Sequence, residues 1–138
     1  MLFVGTHERQ LDDKGRLALP ASFRSILGER AYLAFGSDQC IDVIPAEVFE
    51  TMAEQLMEKV DRGEVSLQRQ RAVSASATLV TVDKQGRVPI GEDLRSYAGL
   101  RTEQRVVVTG NFKRIEIWAP ERHERIHAVG TSELAGAS

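Results

Sequence analysis

The sequence predicts an α+β fold made of two similar β-rich halves with helices on their outside. Two observations predict it: a motif that occurs twice, and short apolar runs of strand length that alternate with amphipathic segments. The motif occupies residues 11–28 (LDDKGRLALPASFRSILG) and returns at residues 82–99 (VDKQGRVPIGEDLRSYAG), where six of the eighteen aligned residues are identical. Two copies are too few for a solenoid, so we expect two halves that complete one another.

The duplication continues beyond the motif. Residues 32–50 align with residues 106–124, and the offset rises from 71 to 74 positions because the second copy has three additional residues around positions 100–105. We therefore divide the chain into a first half (1–60), a linker that could be helical (61–76), a second half (77–129) and a tail expected to be disordered (130–138).

Each half is expected to hold about four short strands. The chain opens with a short apolar run closed by Gly5, and residues 6–11 align with ATLVTV at 77–82, whose β-branched residues favour a strand. Two further runs of strand length, residues 32–35 and 40–44, are separated by the turn-forming GSDQ. The second half repeats this order.

A turn with an arginine follows the first long strand of each half. The pattern Asp-x-x-Gly-Arg spans residues 12–16 and recurs at 83–87. An aspartate side chain can bond the backbone two residues on, and glycine adopts positive φ without a steric penalty. We predict a tight hairpin with the arginine at its tip or exit, in which Asp12 and Asp83 are structural.

Two kinds of helix follow from the apolar spacing. Short amphipathic helices begin after Pro20 and its counterpart Gly91, and each ends at a glycine. We expect them to supply much of the core through Phe23, Ile26, Leu94 and Tyr97. A longer helix is predicted from Pro45, with Val48, Phe49, Met52, Leu56 and Val60 on one face. The aligned segment from Pro120 is far more polar.

Composition is that of an ordinary globular protein, with 42% hydrophobic and 28% charged residues among 138. No apolar run approaches the roughly 18 residues of a membrane span, and the N-terminus has no signal-peptide pattern, so we expect a cytoplasmic protein. The single Cys40 is expected to be a small buried apolar residue. The net charge of −2 does not indicate a nucleic-acid binder unless the 18 lysines and arginines are unevenly distributed.

Arg16 and Arg87 have two possible roles. Each could pair with the aspartate of its own turn, although an exposed pair of this kind contributes only about 0–1 kcal/mol. Each could instead be presented to DNA, where a guanidinium reaches the O6 and N7 atoms of guanine as a fork. We favour the second role, with Lys14 and Lys84 attracting the phosphate backbone. Arg24 and Arg95, on the short helices, are interpreted as structural, with the turn aspartates as candidate partners, and DNA contact is the less favoured role.

Few other residues indicate chemistry. His123 and His127 have the i, i+4 spacing that a metal ion can use, but no third ligand is evident and a solvated helix end is favoured. The sequence has no glycine-rich phosphate loop, nucleophile elbow or paired cysteine motif. We expect no enzymatic activity, cofactor, metal or small-molecule substrate.

The pattern Asp-x-x-Gly-Arg, followed by apolar-x-apolar-Pro and then Phe/Leu-Arg, resembles the AbrB-type (SpoVT-AbrB) swapped-hairpin DNA-binding domains. Two such motifs in a chain of this length resemble the MraZ family over roughly residues 1–125. The resemblance implies a duplicated swapped-hairpin fold whose two loops contact double-stranded DNA. The residues implied in DNA binding are Lys14, Gly15, Arg16, Lys84, Gly86 and Arg87.

The resemblance also implies a function. It is that of a sequence-specific transcriptional regulator, usually a repressor, which acts on the division and cell-wall gene cluster containing its own gene. Such a protein binds short G-rich direct repeats as a closed homo-oligomeric ring and is associated with the nucleoid. Gln85 and Gly91 depart from the first copy, so the second loop is expected to bind less tightly or differently. The alternative is an AbrB-like antitoxin or protein-interaction module.

Overall fold

The computed structural model describes residues 1–136, which form eight strands and five α-helices. The strands are β1 (Thr6–Gln10), β2 (Arg16–Ala18), β3 (Arg30–Phe35), β4 (Ile41–Pro45), β5 (Thr78–Thr81), β6 (Arg87–Pro89), β7 (Arg105–Asn111) and β8 (Arg114–Trp118). The helices are α1 (Ala21–Leu27), α2 (Ala46–Asp61), α3 (Leu67–Ser76), α4 (Glu92–Ala98) and α5 (Pro120–Leu134). The predicted α+β class is confirmed.

The two halves exchange strands. Six strands form one antiparallel sheet in the order β1-β7-β8-β4-β3-β5, and β2 pairs with β6 in a separate two-stranded sheet. The first strand of each half therefore pairs with the third strand of the other half, as β1 does with β7 and β5 with β3. Each half contributes four strands, as the sequence predicts, but neither half completes its own sheet.

This exchange corrects the predicted hairpin. The turn at residues 12–16 is closed, because Gly15 N donates to Asp12 O (3.1 Å) and Asp12 N donates to Arg16 O (3.0 Å). Its flanking strands then separate, β1 to β7 and β2 to β6. The reason is that Leu17 and Val88 lie opposite one another and are both fully buried. Pairing of β2 with β6 therefore buries more apolar surface than a hairpin of β2 with β1 would.

The core is built from equivalent residues of both halves. Leu17, Leu19, Phe23 and Leu27 of the first half join Val88, Ile90, Leu94 and Ala98 of the second in one buried cluster. Complete burial of one such aliphatic or aromatic side chain contributes about 1.5–3 kcal/mol. Two of the predicted core residues, Ile26 and Tyr97, are only partly buried. Cys40 is fully buried, as predicted, and burial raises the pKa of its thiol.

Helices α2 and α3 cover the sheet from outside. The apolar face predicted for α2 is half-buried, and on it Phe49 stacks on Tyr32 with ring centroids 4.4 Å apart. Helix α3 lies within the predicted linker and is capped by Ser66, whose hydroxyl accepts a hydrogen bond from Arg69 N (3.1 Å). In the described part of the chain, no helix is long and apolar enough to cross a membrane.

The C-terminal helix is longer than predicted. We expected disorder from Gly130, whereas α5 continues to Leu134 and Ala135 N still donates to Thr131 O (3.0 Å). The earlier turns of α5 are anchored where Ile126 packs on a buried cluster that includes Trp118. Each further helical residue then adds a backbone hydrogen bond to an existing helix, and this extension has a lower free-energy cost than nucleation of a new helix. The last two residues of the predicted tail, 137 and 138, lie outside the described residues.

Candidate nucleic-acid interface

The two Asp-x-x-Gly-Arg turns have the same geometry. Asp12 Oδ1 accepts hydrogen bonds from the backbone N–H groups of Lys14 (2.9 Å) and Arg16 (2.8 Å). Asp83 Oδ1 accepts from the equivalent groups in the second half, both at 2.9 Å. The bond from the backbone N–H of the arginine is the main reason that the pKa of each aspartate lies below its ordinary value. Both turns are therefore closed by a charged carboxylate.

Glycine is required in each turn for two separate reasons. Gly15 and Gly86 both have φ of +77°, in the left-handed region that side chains disfavour. A Cβ atom at Gly15 would lie 2.3 Å from Arg95 Nη1, and one at Gly86 would lie 2.8 Å from Arg24 Cδ. Both glycines are buried, so their part in the site is to shape the turns and let an arginine pack beneath them.

The arginines of the short helices do not pair with Asp12 or Asp83, which corrects our prediction. Arg24, on α1 of the first half, donates from Nη2 to Lys84 O of the second turn (2.9 Å). Arg95, on α4 of the second half, packs against Gly15 of the first turn and donates to Ile90 O (2.5 Å). The pairing of β2 with β6 places each helix beside the turn of the other half, so each of these arginines contacts that turn.

Arg16 and Arg87 are held by the turn aspartates. Arg16 Nε donates to Asp12 Oδ2 (2.6 Å), and Arg87 Nε donates to Asp83 Oδ2 (2.8 Å). The pairing that we considered as an alternative role is thus present. Each arginine uses only its Nε atom for this bond. In the part of the chain that the structure describes, the Nη atoms of Arg16 and Arg87 have no hydrogen-bond partner. The aspartates leave the outer edge of each guanidinium available.

Strands β2 and β6 form a short surface ribbon, the β2/β6 ribbon, that presents both arginines on one face. Arg16 lies opposite Pro89, and Arg87 lies opposite Ala18. Because side chains alternate along a strand, these four residues share the outward face while the buried residues between them point inward. The two arginines are offset by two residues along the ribbon, or about 7 Å.

Charge is concentrated around the ribbon. Lys14 and Lys84 are exposed at the two turns. The turns and the two supporting helix arginines together carry six cationic and three acidic side chains, in a chain whose net charge is −2. Positive charge therefore exceeds negative charge among the turn residues and their supporting arginines, although Glu29 lines the groove beside Arg24 and Lys84.

The two turns differ in their surroundings. The three additional residues of the second half lie at the first turn, where Glu103 N donates to Asp12 O (3.3 Å) and Leu11 N donates to Gln104 O (3.0 Å). The second turn instead borders an open groove of about 540 Å³, lined in part by Arg24 and Lys84. The sequence contained the signal for this difference, namely the change of offset, but gave no indication of which turn it affects.

The fold and the site define a class: a duplicated α+β protein in which two Asp-x-x-Gly-Arg turns meet on one β ribbon. A family model described as "MraZ protein, putative antitoxin-like" matches residues 2–69 and again 74–134. The chain belongs to the MraZ family.

Individual relatives agree over nearly the whole chain. A protein of Saccharopolyspora erythraea is 40% identical over 140 residues, which cover 96% of each chain. A protein of Salinispora arenicola is 42% identical, with 85% of this chain and 81% of the relative covered. A protein of Roseiflexus sp. (strain RS-1) is 37% identical, with 91% and 86% covered. Each of the three is named "Transcriptional regulator MraZ", a name that describes regulation rather than an enzymatic activity.

Proposed function

We propose that this protein is a transcriptional regulator that binds double-stranded DNA sequence-specifically through the β2/β6 ribbon. The observation that carries the proposal is the outward pair of Arg16 and Arg87, each oriented by the aspartate of its own turn. The names of the relatives support the regulatory role. The major groove admits a two-stranded β ribbon, and the outward face of this ribbon carries both arginines.

The turn aspartates have a role in recognition as well as in folding. A free arginine loses about 2 kcal/mol of side-chain entropy when it is fixed on a base. The Nε bond to Asp12 or Asp83 fixes much of the side chain before DNA arrives. The Nη atoms can then donate to the O6 and N7 atoms of one guanine, which fits the G-rich sites implied by the family resemblance. Lys14 and Lys84 add phosphate contacts that carry no sequence information.

Assembly follows from the small size of the ribbon. A specific protein–DNA interface buries about 1,000 Å² of protein surface or more, and two turns are too small to do so alone. A closed ring that aligns several ribbons on spaced direct repeats would gain affinity through effective concentration. The half-buried apolar face of α2 and the exposed Met57 support such assembly. We propose a repressor, associated with the nucleoid, that acts on the division and cell-wall cluster containing its own gene.

The two turns would contribute unequally. Gln85 replaces a lysine in the second turn, which weakens its attraction to phosphate. The same turn borders the open groove, whereas the first turn is braced by Glu103. We therefore assign the larger share of rigid base recognition to Arg16 and a more adaptable contact to Arg87.

We also propose that the fold is an AbrB-like swapped-hairpin fold. An AbrB-like swapped-hairpin arrangement requires each half to lend its hairpin strands to the other. The pairs β1–β7, β3–β5 and β2–β6 support this assignment, since all three join opposite halves.

The direct test is an electrophoretic shift of the DNA upstream of the protein's own gene, with excess unrelated duplex present. We expect a salt-sensitive shift that resists the competitor and is lost in Arg16→Ala. Arg71→Ala is the matched control, because Arg71 is exposed on α3 and its guanidinium bonds only Gln68 (3.1 Å). If the folded, oligomeric protein gives no shift, specific binding to the DNA upstream of its own gene is excluded, and the antitoxin or interaction module becomes the better interpretation.

A further inference from the structure

An exposed apolar surface lies where the first residues of the chain meet the turn between β7 and β8. Phe3 N donates to Phe112 O (2.8 Å) and Phe112 N donates to Phe3 O (3.0 Å), so this segment is fixed beside the turn. Phe3 itself is buried in the core. Leu2, Val4 and Phe112, by contrast, are each more than half exposed. We call the surface of Leu2, Val4, Phe112 and the exposed Lys113 the N-terminal face.

Exposed apolar side chains are concentrated on this face. Among the described residues nine large apolar side chains are exposed, and four of them belong to residues 1–4 or to the adjoining turn. Single exposed apolar residues need no explanation, whereas a group of them on one surface indicates an interaction site. Because Phe3 is bonded to the turn and buried in the core, the face is already ordered, which lowers the entropy lost on binding.

The duplication indicates that folding does not require an aromatic residue at position 112. At the offset of 74 the counterpart of Phe112 is Asp38, and both residues have left-handed backbones, with φ of +59° and +57°. Aspartate tolerates this conformation, whereas a bulky side chain is disfavoured there. Phe112 thus combines a disfavoured backbone with a ring that is 61% exposed. A strained position that carries an exposed aromatic ring points to a binding contact.

The outer face of helix α2 has the complementary chemistry. Met57 is exposed on this helix, and Glu54, three residues earlier, lies on the same side. The helix holds five acidic residues and one lysine. In the described part of the chain, neither Glu54 nor Lys113 takes part in a salt bridge. One chain therefore carries an apolar surface with a free positive charge and another with a free negative charge.

We propose that the N-terminal face of one copy binds the outer face of α2 in a second copy. Phe112 would pack on Met57 of the second copy, and Lys113 would face Glu54 of the second copy. This proposal rests on the assembly proposed above and names the two surfaces that make it. A second copy is the partner that fits, because every copy supplies both surfaces and their charges are opposite.

The contact is head-to-tail. The N-terminal face lies at the β7–β8 turn, whereas α2 packs on β3 and β4, so the two surfaces do not overlap on one copy. Each copy that binds through one surface keeps the other free for a further copy. Repetition of such a contact gives a ring if the rotation closes and a filament if it does not.

The test is sedimentation velocity of the full chain without DNA, over a range of protein concentrations. We expect the parent protein to assemble and Phe112→Asp to raise the dissociation constant at least about tenfold. This variant should fold, because aspartate holds the equivalent position of the first half. Leu79→Thr is the matched control and should assemble normally, because Leu79 is an exposed apolar residue on β5, at the edge of the sheet opposite to β1.

The charge pair is tested in the same way. Lys113→Glu should weaken assembly, since it places two carboxylates opposite one another. Combining Lys113→Glu with Glu54→Lys should restore assembly, because the exchange of the two charges preserves their attraction.

A mixing experiment tests the head-to-tail arrangement. Phe112→Asp disables the N-terminal face, and Met57→Lys disables the α2 face, so neither variant should assemble alone. In a mixture, the intact N-terminal face of Met57→Lys can bind the intact α2 face of Phe112→Asp. We expect a one-to-one dimer that grows no further, because the two remaining surfaces are both disabled.

Three results would overturn the proposal. If the parent protein assembles and Phe112→Asp and Lys113→Glu assemble equally well, with both folded by circular dichroism, assembly uses other surfaces. If the mixture forms no dimer, the contact is not head-to-tail. If the parent protein is monomeric at every concentration, the proposed assembly fails as well, whereas DNA contact by the β2/β6 ribbon is tested separately by Arg16→Ala.

Discussion

At the scale of single residues, one aspartate, one glycine and one arginine make each turn. Asp12 closes the turn and orients Arg16, and Gly15 makes room for an arginine from the other half. The motif and its turn were predictable, because aspartate and glycine at this spacing are typical of tight turns. The supporting role of Arg95 was not predictable, since its packing on Gly15 joins residues eighty positions apart.

Gly15→Ala should destabilise the protein more than Gly63→Ala does. Both glycines have positive φ, +77° and +74°, so each substitution loses about 1–2 kcal/mol of stability from the backbone. A Cβ atom added at Gly63 would have no atom within 4 Å, whereas a Cβ atom added at Gly15 would clash with the side chain of Arg95. Urea denaturation measures the difference, and equal losses would show that Arg95 moves away without consequence.

Acid should weaken the turns. The pKa of Asp12 is lower in the folded state than in the unfolded chain, so its contribution to stability is complete above the unfolded pKa of about 3.9 and is lost as pH falls below it. The stability difference between the parent protein and Asp12→Asn should therefore shrink as pH falls from 6 toward about 3. A difference that grows on acidification would contradict the assigned charge. Burial raises the pKa of Asp42, so this residue has the opposite effect on the pH dependence of stability. Because Asp42 is present in both proteins, its effect cancels in the stability difference.

At the scale of elements, the helices were easier to predict than the strand partners. Helix α2 shows its apolar face in the sequence because its contacts recur every three to four residues. The partner of β2 cannot be read from three residues, and the local alternative, a hairpin with β1, is the simpler expectation. Long-range burial of Leu17 on Val88 decides the outcome.

Leu17→Ala should therefore affect both turns although it lies in one. Removal of a fully buried leucine side chain is expected to lower the free energy of unfolding by about 2–5 kcal/mol. The change also weakens the β2/β6 pairing that positions Arg16 and Arg87 together. Stability from urea melts and affinity for the operator should both fall. Unchanged affinity in a folded, destabilised variant would mean that the turns act independently of the ribbon.

At the scale of the whole molecule, the exchange of strands makes the two halves one unit. Four strand pairs, β1–β7, β3–β5, β4–β8 and β2–β6, join opposite halves. Neither half retains a complete sheet or core when it is separated from the other. The duplication was visible in the sequence, but a repeated motif is equally consistent with two independent domains. Only the pairing shows that the halves are interlocked.

Unfolding should accordingly be a single cooperative transition. Circular dichroism and the fluorescence of Trp118, which lies in the second half, should report the same urea midpoint. Two separated transitions would contradict the interlocked arrangement.

The central claim is that Arg16 and Arg87 read base edges from the β2/β6 ribbon. The most direct measurement is fluorescence anisotropy of the Arg16→Lys, Arg87→Lys double variant against operator and unrelated duplexes at one salt concentration. Lysine keeps the charge but cannot donate two parallel hydrogen bonds to one guanine. Operator affinity should therefore fall by about 1–3 kcal/mol for each of the two lost contacts, roughly 5- to 150-fold apiece, with little change on unrelated DNA. Operator affinity equal to that of the parent protein, in a folded double variant, would contradict the account.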